Sequence, residues 1–210
     1  KYRVERRLGK GSFGVVYKVI DTLGDVARAV KVITADRHSV LDRLRQEYRT
    51  LVHLPEHPNV VRVFDAQFAE SGDPPPFIVF EYVDGLDVDD MVANRLFSAE
   101  DALDLARQVT DGLVHLHRND VFHCDIKPRN LLWTSHGVRI IDFNVSVLAA
   151  ASLEMGGGSR RYLPPDLDLD AMPHRSDLAD RDLYALGVTI YQVVAGRYPW
   201  ESQTPPPGTP

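Results

Sequence analysis

The sequence predicts an α+β protein with a strand-rich N-terminal part and a helix-rich C-terminal part. Residues 1–34 alternate apolar and polar side chains between glycine and aspartate turns, the pattern of three antiparallel strands. Segment 60–68 has the composition of a fourth strand, and segment 77–85 that of a fifth strand running into a turn. Segment 98–116 has apolar residues at helical spacing, while segment 183–194 is apolar almost all round, as expected for a buried helix.

Length and composition restrict the classes of protein to consider. The chain has 210 residues, 44% hydrophobic and 26% charged, enough for one core or two small lobes. Its net charge of -6 makes no electrostatic case for nucleic-acid binding, and no apolar run approaches the ~20 residues of a membrane span. The single cysteine, Cys124, excludes an internal disulfide framework and a cysteine-rich zinc site. We therefore expect a cytoplasmic location.

The two ends and the basic residues suggest what surrounds this stretch. The chain begins without methionine, already inside a predicted strand, and residues 201–210 are proline-rich, as in a linker or a truncated end. Flanking domains are therefore expected. Only five of the 24 basic residues are lysine, which favours a GC-rich coding sequence of the kind found in bacteria.

Three glycines, Gly9, Gly11 and Gly14, join the first two predicted strands. Glycine lets backbone amides approach a phosphate closely, although a flexible hairpin without a ligand has the same composition. A similar glycine pattern occurs in dinucleotide sites, where a helix follows the glycines. Here a second strand, 15–20, follows instead. This order favours a hairpin that covers phosphates.

Lys31 is a lone lysine in the apolar strand 29–33. A buried lysine is costly unless it is paired, so we predict a carboxylate partner on the following helix. Glu47 is the preferred partner, and Asp42 is the alternative. The competing interpretation is an exposed strand lysine beside an unrelated, solvated helix glutamate.

A short polar run between apolar segments contains Asp125, Lys127 and Asn130, and Asp142 follows twelve residues later. One carboxylate in such a set can orient a hydroxyl nucleophile. The amide and the other carboxylate can hold Mg²⁺ through oxygen, and the lysine can face transferring phosphate charge. The competing interpretation is a surface loop with scattered charges.

These motifs, in this order, resemble the catalytic domain of eukaryotic-type serine/threonine protein kinases from Lys1 to about Trp200. The resemblance implies a bilobal fold, incomplete after the last helix. Residues 1–83 would form a nucleotide-binding lobe with a five-stranded antiparallel sheet and one helix. Residues 84–200 would form a mainly helical lobe with the catalytic loop and activation segment. ATP, Mg²⁺ and a protein substrate are implied as well.

The resemblance also implies a role for each candidate residue. Asp125 would orient the substrate hydroxyl and accept its proton, and Lys127 would contact the transferring phosphoryl group. Asn130 and Asp142 would hold Mg²⁺. The remaining nucleotide contacts would come from the three glycines, from Lys31 positioned by Glu47, from Val16, Ala29 and Leu132, from backbone groups of Glu81 and Val83, and from Phe80 behind the pocket.

Departures from the family pattern leave these groups intact. Cys124 replaces an arginine, Asn144 replaces a glycine and Asp166 replaces a glutamate. A pseudokinase, which uses the fold for binding alone, is the main alternative, and it should lack at least one of Lys31, Asp125, Asn130 and Asp142. A small-molecule kinase shares the spacing from aspartate to asparagine but lacks an activation segment like that ending at 159–166.

The resemblance and the residue spacing also indicate residues that support the catalytic loop or lie near it. Asp182 would anchor the backbone of the catalytic loop, and His123 would be a packed structural histidine. His115 and His117, two residues apart near the end of a helix, are expected at the surface.

We predict that activity does not depend on phosphorylation of segment 145–161. Kinases that need this phosphate use it to neutralise an arginine beside the catalytic aspartate, and Cys124 occupies that place here. The alternative is that Cys124 is a small buried residue without regulatory meaning. Phosphatase-treated and autophosphorylated protein, each verified by mass spectrometry, should turn over at similar rates. A gain of about tenfold or more in the phosphorylated form would contradict the prediction.

Overall fold

The computed structural model describes residues 1–11, 14–34, 45, 48–68, 75–142, 158–165 and 174–200. Glu47, Asp42, Asn144, Asp166 and the proline-rich end lie outside these ranges, as does most of segment 145–161. The chain divides into two compact units. The first unit comprises Lys1–His57 and Val61–Asp84, and the second comprises Pro58–Val60 and Gly85–Pro210.

The first unit contains the five-stranded antiparallel sheet that the sequence predicts. Its strands lie in the order β1-β2-β3-β5-β4. Their bounds are Tyr2–Gly11 for β1, Gly14–Asp21 for β2, Val26–Ile33 for β3, Val63–Gln67 for β4 and Phe77–Glu81 for β5. Residues 48–52 are helical, within the segment where a helix was expected.

Side-chain alternation gives one face of this sheet its own apolar cluster. Val19, Val30 and Val79 are buried at its centre, because each lies on the same face of neighbouring strands. Half-buried aromatic and aliphatic side chains surround them: Tyr2, Tyr17, Val32, Phe64 and Phe77. The Tyr2 ring contacts the Phe77 ring edge to face at 6.1 Å, which joins the edge strand β1 to the centre of the sheet.

The second unit combines a small sheet with three α-helices among the described residues. The sheet has the strand order β6-β7-β8, with bounds Leu86–Asp87, Leu131–Thr134 and Gly137–Ile140. The helices are α1 at Val88–Ala93, α2 at Ala99–Arg118 and α3 at Arg175–Ala195. Two short 3-10 helices lie at Pro128–Asn130 and Gly158–Tyr162.

Helix α2 begins and ends where the sequence predicts. The Ser98 hydroxyl accepts a hydrogen bond from the Asp101 amide, and Asp101 accepts one in return from the Ser98 amide, so the first turn is capped. Asn119 follows the last turn. The predicted apolar positions form the buried face, and burial of a leucine such as Leu105 contributes about 1.5–3 kcal/mol.

Helix α3 begins earlier and is less covered than predicted. It starts at Arg175, and the Asp177 carboxylate caps its first turn by accepting a hydrogen bond from the His174 amide. It ends at Gly196, which has a φ of 66°. Leu183 and Val194 are exposed, so the prediction of burial on nearly all sides is wrong for one face within the described residues. No described helix is both long and apolar enough to cross a membrane.

Gly14 is required by close packing inside the sheet. It pairs with Ile33 of β3, and a Cβ atom at Gly14 would lie 2.0 Å from the Val32 carbonyl oxygen. Gly9, by contrast, has no atom within 4 Å of its corresponding Cβ position. The two glycines therefore differ in how closely the sheet packs against them.

We expect Gly14→Ala to lower the free energy of unfolding by about 1–3 kcal/mol, because β2 and β3 must separate to admit the methyl group. The matched variant Gly9→Ala should stay within about 0.5 kcal/mol of the wild type. Urea denaturation followed by circular dichroism measures both. Equal stabilities for the two variants would contradict the packing argument.

Candidate active site

Asp125, Lys127 and Asn130 form one hydrogen-bonded group in the second unit. The Lys127 ammonium donates to Asp125 Oδ2 at 2.7 Å. Asn130 Nδ2 donates to the same oxygen at 3.0 Å and to the Asp125 carbonyl at 2.7 Å. Asp125 and Asn130 are both buried. Because Asn130 uses its amide nitrogen on Asp125, its amide oxygen is left as the atom able to ligate a cation.

The local backbone explains how the side chain of Asn130 turns back toward Asp125. Pro128 is the first residue of the 3-10 helix, where a missing N–H costs nothing, and the Asn130 amide closes the turn on the Lys127 carbonyl at 2.9 Å. The Asn130 carbonyl then accepts a hydrogen bond from the Ile141 amide at 2.9 Å. The segment bearing Asp142 is thereby tied to the segment bearing Asn130.

A fully buried carboxylate, Asp182 near the middle of α3, holds the start of the polar run. Its Oδ2 accepts a hydrogen bond from the His123 amide at 2.9 Å, and its Oδ1 accepts one from the Cys124 amide at 2.6 Å. This is the backbone anchor that the kinase resemblance implied for Asp182. Cys124 has a φ of 60°, an unusual value for a residue other than glycine, and its anchored amide helps to hold that conformation.

His117, on the last turn of α2, is the functional-site residue that the sequence reasoning missed. Its Nε2 lies 2.9 Å from Asp182 Oδ2, and its ring lies against the Phe122 ring with centroids 5.1 Å apart. The expectation that His117 is a surface histidine is therefore wrong. Helical spacing reports the face on which a residue lies, and it cannot report a partner 65 residues later in the chain.

His123 is a packed structural histidine, as expected. It is fully buried, and its Nδ1 accepts a hydrogen bond from the Asp125 amide at 3.3 Å. Its Nε2 lies 3.0 Å from the Ile141 carbonyl, so the ring is a neutral tautomer that donates through Nε2. The imidazole thus links the amide of Asp125 to the residue before Asp142.

Buried amides fix β8, which leads to Asp142. Asn59 Nδ2 donates to Gln108 Oε1 and to the Val138 carbonyl, each at 2.9 Å. Gln108 Oε1 also accepts the Val138 amide at 2.7 Å, and the Asn59 carbonyl accepts the Ile140 amide at 2.8 Å. Helix α2 and the Pro58–Val60 segment therefore hold β8 from two sides.

Tyr162 packs the end of the described segment 158–165 onto α3. Its hydroxyl donates to Gln192 Oε1 at 2.6 Å and lies 3.1 Å from the Tyr198 hydroxyl. Burial raises the pKa of the Tyr162 hydroxyl above its usual range, and the neighbouring Tyr198 hydroxyl raises it further. The negative charges of Asp89 and Asp125 act in the same direction.

In the first unit, several predicted nucleotide contacts share one face of the sheet. Lys31 pairs in register with Val16, and Ala29 pairs with Phe80. Residues paired across antiparallel strands point to the same face, as do residues two apart in one strand. Lys31 is 6% exposed. Glu47, its predicted partner, lies outside the described residues.

The remaining predicted contacts lie at the ends of strands. The Glu81 amide donates to the Arg62 carbonyl at 2.9 Å, within the first unit, and the half-buried Val83 follows two residues later. Leu132 lies on β7 of the second unit, paired in register with Asp87. Gly9 and Gly11 lie on β1, and Gly14 begins β2.

Comparison with known proteins gives a consistent result. The profile of the protein kinase domain family matches residues 2–207. The probable serine/threonine-protein kinase pknA2 of Bifidobacterium longum is 30% identical over 98% of this chain and 28% of its own length. The serine/threonine-protein kinase PrkC of Bacillus subtilis is 29% identical over 97% of this chain and 32% of its own length. The chain thus spans less than a third of the length of these two relatives.

Solved structures support the fold. The kinase domain of PknI from Mycobacterium tuberculosis superposes with a TM-score of 0.76, at 24% sequence identity, over 97% of this chain and 77% of that domain. This likeness confirms the predicted bilobal kinase fold class and its incompleteness in this stretch.

We expect His117→Ala to destabilise the second unit by about 1–3 kcal/mol, because a buried carboxylate loses one of its three donors. His117→Gln, whose side-chain amide can donate, should recover part of that loss. Arg118→Ala, an exposed neighbour on the same turn, serves as the control. Thermal denaturation compares the three variants. A His117→Ala variant as stable as Arg118→Ala would contradict the role given to the histidine.

Proposed function

The chain belongs to the protein kinase family, and from that premise we propose that it transfers the γ-phosphoryl group of ATP to a serine or threonine hydroxyl of a protein substrate. The observation that carries the proposal is the hydrogen-bonded group of Asp125, Lys127 and Asn130. A pseudokinase interaction module would be expected to lack Lys31 or one of the polar groups, and all of them are present.

Asp125 is proposed to act on the nucleophile. Its Oδ2 is held by Lys127 and Asn130, so the carboxylate has a fixed orientation toward an incoming hydroxyl. In that position it orients the hydroxyl and accepts its proton. Lys127, held at 2.7 Å from the same carboxylate, brings a positive charge to the place where phosphoryl charge is transferred.

The oxygen ligands of the second unit fit a magnesium ion. Mg²⁺ prefers oxygen donors and commonly takes one or two protein ligands, with phosphate oxygens and water completing its shell. The Asn130 amide oxygen and the Asp142 carboxylate supply such a pair. Within the described ranges no group of three or more His, Cys, Asp or Glu side chains is placed to hold a metal. A bound Mg²⁺ would neutralise phosphate charge, while Asn130 and Asp142 set its position.

The first unit is proposed to bind the nucleotide. Lys31, placed on the face shared with Val16 and Ala29, would contact the phosphates and pair with Glu47. Backbone groups of Glu81 and Val83 would hydrogen-bond the adenine. Gly9, Gly11 and Gly14 would cover the phosphates, since backbone amides without side chains approach anions closely.

The substrate and location complete the proposal. The described segment 158–165 packs onto α3 through Tyr162, and we propose that it presents a protein substrate. Flanking domains are proposed because the chain spans only part of its relatives. We propose action in the cytoplasm, where ATP is available.

Transfer of labelled phosphate from ATP to a generic protein substrate, using the full-length protein, tests the activity directly. In the same assay we expect Asp125→Asn and Asp142→Asn to fail differently. Asp125→Asn should lose about 10²–10⁴ in rate while keeping Mg·ATP affinity near wild type. Asp142→Asn should weaken Mg·ATP binding as well, because it removes a metal ligand. Calorimetric titration with Mg·ATP measures the affinities.

Asp111→Asn is the matched control, since Asp111 is an exposed aspartate on α2. It should resemble the wild type in both measurements. Equal losses of Mg·ATP affinity in the Asp125 and Asp142 variants would refute the assigned roles. Absence of phosphoryl transfer by the wild type would refute the activity itself.

A further inference from the structure

Arg129 presents its guanidinium to solvent beside the group that contains Asp125. It is the central residue of the 3-10 helix, between the buried side chains of Pro128 and Asn130. Its own side chain is 73% exposed. The short helix therefore fixes the backbone of Arg129 on the catalytic run while its charge faces outward.

Asp89 of α1 is the partner of Arg129, and the pair is loosely made. Arg129 Nη2 lies 3.3 Å from Asp89 Oδ2. Among the described residues, this single nitrogen–oxygen contact is what joins the two side chains. Exposed ion pairs of this kind contribute little free energy. A carboxylate of an incoming polypeptide can therefore replace Asp89, or share the guanidinium with it, at small cost.

Further arginines lie on the described segment 158–165. Arg160 is exposed, and the Arg161 guanidinium lies over the Tyr198 ring at 4.4 Å from its centroid. Residues 125–130 and 158–162 together carry four cationic side chains and one carboxylate. These are Lys127, Arg129, Arg160 and Arg161 against Asp125. These two short segments are therefore basic, although the whole chain has a net charge of -6.

Two of the acidic residues at the start of α1 are already engaged in a hydrogen bond or an ion pair. Asp87 caps the helix by accepting the Asp89 amide at 2.8 Å, and Asp89 is engaged by Arg129. Burial raises the pKa of the Asp87 carboxyl, which makes its charged form less favourable. Asp90 is exposed on this turn.

We propose that this kinase prefers serine or threonine residues flanked by aspartate or glutamate, and that Arg129 is the residue that determines the preference. The inference rests on the proposed protein kinase activity and names its substrate class. A guanidinium binds a carboxylate through two parallel hydrogen bonds, so Arg129 selects acidic side chains by geometry as well as by charge. It repels basic side chains at the same position.

A competition assay with the full-length protein tests the preference. Peptides of equal length carry a single serine flanked by glutamate, alanine or arginine, and all are mixed in one reaction with ATP. Mass spectrometry measures the ratio of phosphorylated products. Because the peptides compete in one sample, the ratio does not depend on how much of the enzyme is folded. We expect the wild type to favour the glutamate peptide over the arginine peptide by about tenfold.

Variants of Arg129 test whether this residue causes the preference for the glutamate peptide. Arg129→Glu should reverse the order of the two charged peptides, Arg129→Gln should reduce the ratio, and Arg129→Lys should keep its direction. Arg107→Glu is the matched control, because Arg107 is an exposed arginine paired with Asp104 at 2.8 Å on α2. It should leave both the activity and the ratio unchanged.

A wild type that favours the arginine peptide, or an Arg129→Glu variant with an unaltered ratio, would overturn the acidic preference alone. Phosphorylation of none of the peptides would instead overturn the proposed kinase activity, and the preference with it. Raised salt provides a second readout, since screening should shrink the glutamate-to-arginine ratio of the wild type.

Discussion

The buried carboxylate of Asp182 is the constraint on which the rest of the second unit depends. A fully buried charge is tolerated only when its lone pairs are satisfied, and here the donors are two successive backbone amides, His123 and Cys124, with the His117 ring as a third. Satisfying Asp182 therefore requires α3, the last turn of α2 and the start of the polar run to meet at one point. Asp125 is the next residue after Cys124, so the same contacts set its position.

Hydrogen bonds to the main chain connect the residues around Asp182 to the segment that bears Asp142. The His123 ring contacts the Ile141 carbonyl, and the Asn130 carbonyl accepts the Ile141 amide, so both backbone polar groups of Ile141 are held. The backbone has a positive φ at each end of this hydrogen-bonded segment, 60° at Cys124 and 57° at Asp142. Bends of this kind cost free energy, and they persist because the surrounding hydrogen bonds over-determine them. The functional side chains are thus placed by backbone geometry before any substrate arrives.

Much of this could be predicted from local pattern, and the rest depends on distant contacts. Alternation at a period of two identified the first three strands of the first unit, and composition identified the other two. The apolar spacing of segment 98–116 identified α2. The first turns of α3 were missed because residues 175–180 are mostly polar and show no apolar period. The exposure of Leu183 and the partner of His117 were missed for a related reason. Composition reports that a side chain is apolar or polar, and it does not report what lies opposite.

Cys124 illustrates how burial restricts chemistry at this site. Its thiol is 3% exposed, although it directly precedes Asp125. Oxidation and alkylation both require an accessible thiolate, and a buried sulfur is shielded from reagents in solution. Cys124 is also the sole cysteine of the chain, so it has no internal partner for a disulfide. A peroxide signal or an electrophilic inhibitor aimed at this sulfur would therefore need the loop to open first.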